Sequence, residues 1–178
     1  MNALSERISS CSASSTSYAE AEQISLMKDT FSLRYSLLSA AAAPPINPEG
    51  AIIDDVLRIG ALLYLQATPR ELPFAVVGPG NLVKELREFV SNVHMWNERE
   101  AELVLWLLFM GAICGRKGPD RVWYIVQIEK LTERLRLREW DVVKKKLEAF
   151  WWVSGLHEKA AKKAWEESEV LRSVMSGE

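Results

Sequence analysis

The chain is poor in the two residue types that most often build a chemical site, with two cysteines and two histidines among 178 residues. A DNA-binding zinc cluster needs six suitably spaced cysteines, because each structural metal must be enclosed by several thiolates. Cys11 lies in a Ser-rich lead and Cys114 in a strongly apolar run. No disulfide framework is expected, and a reducing, intracellular compartment fits best. Neither His94 nor His157 has a second His or a Cys at the spacing of a recognised metal site. Both are expected to be ordinary surface or helix-end imidazoles, with no metal and no cofactor.

An excess of positive charge is also missing. The 22 Lys and Arg face 24 Asp and Glu, which removes the overall field that would hold a chain on nucleic acid or an anionic membrane. Long apolar runs are absent too. The most apolar segment, Leu103 to Gly115, has 13 uncharged residues between Glu102 and Arg116, short of the roughly 20 that cross a bilayer. The first residues mix Ser with Glu6 and Arg7 and contain no h-region of a secretory signal. A soluble chain with no membrane contact is expected. No run alternates like a strand, and no internal repeat is present.

What the chain does have is apolar material at helical spacing: 48% of its residues are apolar, seven of them Trp, enough for one core. Residues 1–17 are Ser-rich and are expected to be a disordered lead; residues 18–178 are expected to form a single all-α domain. Its pattern predicts about seven helices packed around a central apolar helix at about 98–114. The first runs from about Tyr18 until Pro44-Pro45 stops it, and the second from Pro48 to about Gln66. A loop from Thr68 to Gly80 is expected to pack across the core. The third helix covers about Asn81 to Val93. The fourth, Glu98 to Cys114, is apolar nearly all round, which in a soluble chain means a fully surrounded element. Gly118-Pro119 opens the fifth, which runs to about Arg136. Trp140, Val143, Leu147, Phe150 and Trp151 form the buried stripe of the sixth, and the last covers about Leu156 to Leu171.

Candidate chemistry is thin. Ser91 near His94 and Ser154 near His157 are i to i+3 pairs without the third, orienting group of a triad. Gly78-Pro79-Gly80-Asn81 precedes a helix but lacks the preceding strand and the Lys-Ser/Thr ending of a P-loop, so a plain turn is expected. Residues 116–146 hold ten Arg or Lys against five Asp or Glu. A solvated face is the default for such a stretch, an acidic protein partner the next reading and nucleic acid the last. Trp106, Trp123, Trp140 and Trp151 are expected to be core anchors. Trp152 falls one position off its helix's stripe, and with Lys144, Lys145 and Arg138 it makes the candidate partner surface.

Three stretches resemble the C-terminal helical region of fungal-specific transcription factors, the family whose N-terminal binuclear zinc cluster binds DNA. Arg58-Ile59-Gly60-Ala61-Leu62-Leu63-Tyr64-Leu65 resembles its Arg-Leu-Ala-Ala-Leu-Leu-Tyr-Leu helix. Leu105-Trp106-Leu107-Leu108-Phe109-Met110-Gly111-Ala112-Ile113, followed by Arg121-Val122-Trp123-Tyr124, looks like its Leu-Trp-x-Leu-Phe-x-Gly-Gly-Ile helix and the stretch after it. Trp140-Asp141-Val142-Val143, then Leu147, Phe150 and Trp151, resembles its Trp-x-Asp-Val helix ending in Phe-Leu-Trp. The match covers roughly Ile52 to Trp165, in order and with similar gaps. It implies an all-α regulatory region in the nucleus, working through a protein partner such as the transcription machinery or a fellow regulator. The family's zinc cluster and basic linker are missing from this chain, so neither direct nucleic-acid binding nor enzyme activity is expected. The alternative reading is a helical scaffold, or an incomplete gene product, that associates with a larger partner; oligomeric state stays open.

Overall fold

Glycine and proline punctuate the chain, and the helices fall between them. In the computed structural model these are α1 (Ala51–Ala67), α2 (Gly80–Asn92), α3 (Glu98–Cys114), α4 (Pro119–Arg134), α5 (Trp140–Glu148) and α6 (Ser154–Ser176). The structure describes these helices, Gly115, the connections from Gly118 to Gly177, and helical positions between Ser25 and Ser39. The Ser-rich lead with Cys11, the segment 68–79 and His94 lie outside the described residues. No strand occurs among the described residues, and the fold is all-α.

The helix that is apolar all round sits where that composition requires. Every residue from Val104 to Met110 is buried, and α1, α2, α4, α5 and α6 all pack against α3. Burying a large apolar side chain contributes about 1.5–3 kcal/mol, so this run is the main source of cohesion. Two glycines let neighbours approach it. A Cβ on Gly60 of α1 would lie 2.8 Å from Trp106 Cζ3 and closer still to Leu107. A Cβ on Gly111 would lie 2.7 Å from Tyr124 Cδ1 and closer to two other ring atoms. Aromatic rings fill the end formed by α5 and α6. Trp106 stacks on Phe150 and meets Trp151 edge-on, both at 5.9 Å between centroids, and its Nε1 donates to the Trp151 carbonyl at 3.1 Å.

Helix ends deviate from the expected spans in two places. The fifth expected helix was to reach Arg136, but α4 ends at Arg134 in a Schellman motif. Arg136 takes a left-handed φ of 55°, its N–H donates to Glu133 O at 3.0 Å, and Leu137 N–H donates to Thr132 O at 2.8 Å. Burial of Leu137 anchors the turn. The last helix was expected over Leu156–Leu171 and runs from Ser154 to Ser176. Its first turn is closed by a side chain from within: His157 Nδ1 accepts the Val153 N–H at 3.1 Å, doing the job that a Glu or Gln does in a capping box.

Candidate partner-binding surface

The basic stretch 116–146 gives up much of its charge to acids on other elements. Lys144 of α5 donates to Glu158 of α6 at 2.8 Å and lies 3.9 Å from Glu148. That bond to Glu158 raises the Lys144 ammonium above the ordinary lysine value. Lys146 pairs with Glu102, and Arg138 pairs with Glu133 at 2.7 Å. Of the four residues singled out from sequence, Lys144 and Arg138 are therefore engaged within the chain. Lys145 is exposed. Trp152 is half-buried, its ring 5.3 Å from that of His157, and its Nε1 is enclosed without an acceptor among the described residues.

His157 is a helix-end imidazole, but it is not on the surface: it is fully buried, with the Tyr64 ring at 5.2 Å. Burial pushes it down from 6.5 to about 4. Because Nδ1 accepts the Val153 N–H, the neutral ring carries its proton on Nε2. Ser154 bonds Glu148 at 3.4 Å and faces solvent, so Ser154 and His157 form no nucleophile and base pair. Ser91 and Asn81 are exposed. Among the described residues, no group of three or more His, Cys, Asp and Glu could hold a metal ion, and no helix is long and apolar enough to cross a membrane. Cys114 is buried and its thiol donates to Leu63 O at 3.4 Å, tying α3 to α1.

A different surface stands open between α2, α3 and α4. A groove of about 420 Å³ is lined by Val90 and Ser91 of α2, Val104 and Leu108 of α3, and Trp123, Gln127, Lys130, Leu131 and Arg134 of α4. The α4 residues recur at steps of three and four, one continuous helical stripe. From Trp123 to Arg134 that stripe is about 16 Å long, three turns of helix. Apolar side chains make the floor, and Lys130 and Arg134 stand at one end. No Asp or Glu lines it.

The groove walls are fixed by polar contacts behind them. Tyr124 donates to Val83 O at 2.6 Å, and burial holds its hydroxyl well above the ordinary phenol range. Arg87 of α2 lies 5.4 Å over the Trp123 ring while pairing with Asp120 at 3.0 Å. Tyr124 meets the same indole edge-on at 5.0 Å, so Trp123 is oriented from two sides. Sequence reading expects Trp123 to be a core anchor; it is partly buried against the core and also lines the groove. The stripe 123, 127, 130, 131, 134 was visible as a mixed apolar and basic face. That α2 leaves it uncovered among the described residues at this end depends on how α2 crosses α3, which no local pattern encodes.

No family model matches the chain, and neither a curated protein nor a solved structure matches it.

Proposed function

We propose that this chain is a regulatory module of transcriptional control, of the kind that follows the zinc cluster in fungal-specific transcription factors, acting in the nucleus through a protein partner. The observation that carries the reading is how the three resembling stretches combine. Gly60 of the first lies against Trp106 and Leu107 of the second; Gly111 of the second lies against Tyr124 just after it. Trp140 of the third packs on Phe109 at 6.2 Å, and Phe150 and Trp151 pack on Trp106. Residues whose order and spacing resemble those of one family thus lie in one packed unit, which supports the reading. The reading gives the chain no catalytic step, no cofactor and no DNA contact of its own. Its role is to present a surface, and the groove between α2, α3 and α4 is one such surface among the described residues. Fusing the chain to a foreign DNA-binding domain should raise or lower expression from a reporter carrying that domain's site; an unchanged reporter at matched protein level would count against it.

A second reading, a helical scaffold completed by a larger assembly, has one specific observation in its favour. Val170, Val174 and Met175, on the last two turns of α6, are 64%, 71% and 68% exposed. Light scattering on the purified chain separates the two, because a scaffold missing its neighbour should self-associate through that end, and a complete module should stay monomeric.

A further inference from the structure

We propose that the ring N–H groups of Trp152 and His157 are both met by internal water, which makes the junction of α5 and α6 a hydration site inside the fold. The tautomer of His157 comes first. Its Nδ1 accepts the Val153 N–H at 3.1 Å, and an imidazole nitrogen that accepts carries no proton, so the neutral ring keeps its proton on Nε2. That nitrogen is therefore a donor. It belongs to a residue with no exposed surface, and it meets no acceptor among the described residues. Trp152 repeats the situation beside it. Its ring lies 5.3 Å from the imidazole, its Nε1 can only donate, and that atom is enclosed without an acceptor among the described residues. Trp106 shows the contrast, since its Nε1 donates to the Trp151 carbonyl at 3.1 Å.

Chemistry narrows what answers the two donors. A buried donor left unmet forfeits its hydrogen bond to solvent with nothing in return, so two on neighbouring rings call for acceptors. An anion is the wrong one. Burial lowers the His157 pKa from 6.5 to about 4 with no neighbouring charge contributing, whereas a bound anion would draw the imidazole toward its charged form. Lys144, the lysine that reaches α6 from α5, is already spent on Glu158 at 2.8 Å, and a buried anion without a cation is costly. An uncharged acceptor remains. Water is the smallest, needing only about 10–15 Å³ for its centre, and the two ring N–H groups are polar partners of the kind that holds it. A hydration site here is independent of any role in transcription, because it follows from the His157 hydrogen bond and from burial alone.

The test is solution NMR on the isotope-labelled full chain at neutral pH, with water itself as the probe. Long-range proton–nitrogen spectra should show His157 protonated on Nε2 and bare on Nδ1. Water-selective rotating-frame spectra should show contacts from water to both His157 Hε2 and Trp152 Hε1, with sign opposite to the diagonal, which separates a held water from proton exchange with solvent. W152F removes one donor and keeps most of the ring. It should delete the indole contact while His157 keeps its tautomer and its own contact to water, and circular dichroism should confirm that the variant is folded. The unsubstituted chain decides the matter even where W152F fails to fold. A proton on Nδ1, a contact missing from either ring, or cross-peaks that carry the sign of exchange alone would each overturn the proposal. Titration with inorganic phosphate should leave both ring resonances in place; a saturable shift of either would overturn it as well, assigning the donors to an anion.

Discussion

Gly111 shows how little room the central helix leaves at one position. A Cβ there would press into the Tyr124 ring, and Tyr124 is held from behind by its hydrogen bond to Val83 O. Gly111→Ala should therefore cost about 1–3 kcal/mol, the usual range for overpacking a filled core, seen as a lower urea midpoint at unchanged slope. An unchanged midpoint would mean that the ring retreats freely. The opposite effect is expected at Arg136. This residue holds φ at 55°, its side chain is exposed, and it makes no ion pair among the described residues. A left-handed conformation costs a non-glycine residue about 1–2 kcal/mol, and glycine's added freedom in the unfolded chain takes back part of that gain. Arg136→Gly should raise stability by up to about 1 kcal/mol, a thermal shift of a few degrees; a lower melting temperature would show that the Arg side chain contributes.

At the scale of elements, Arg121 does what no single helix can. From α4 it makes a two-pronged pair with Glu167 of α6, Nε and Nη2 each at 3.1 Å from a carboxylate oxygen, while Nη1 donates to Ala112 O near the end of α3. Arg121→Ala should cost about 1.5–3 kcal/mol, because it removes a charged hydrogen bond and strands a carbonyl. Arg121→Lys should recover little, since an ammonium cannot reproduce the planar fork; full recovery in urea titrations would show that charge alone matters. Helix existence was legible from proline, glycine and apolar spacing: α1 to α6 all lie where the periodicity placed them. The ends that escaped were fixed by less visible means. An Arg in a left-handed turn carries none of the signal a glycine would, and the start of α6 rests on His157 reaching back to Val153. The candidate surface was less legible for a related reason. Counting charge within residues 116–146 registers Lys144 but not Glu158 on the helix that folds against it. The groove exists only once three helices are placed.

For the molecule as a whole, the sharpest consequence of this packing is its response to acid. His157 is enclosed by Tyr64 and Trp152 at the start of α6, fully buried, and burial lowers it from 6.5 to about 4. Its Nδ1 must stay unprotonated to accept the Val153 N–H, so protonation both charges a dry site and opens the first turn of a helix that packs on α3 and α4. Between pH 6.5 and pH 4 the unfolded chain binds a proton that the native chain refuses. Stability is therefore fully present above about pH 6.5 and falls as the pH drops toward 4, by about 3 kcal/mol from this one group. For a domain whose total is typically about 5–15 kcal/mol, that is a large share. Carboxylates throughout the chain also respond to acid, so the comparison must be with a variant that lacks the imidazole. Urea unfolding of the wild type and of His157→Gln at a series of pH values should give curves that run parallel above about pH 7 and converge below about pH 6. The wild type loses its advantage there, because glutamine has no proton to take up. Curves that stay parallel down to pH 4 would mean that the native fold tolerates a charged His157, and that the start of α6 opens locally without weakening the whole.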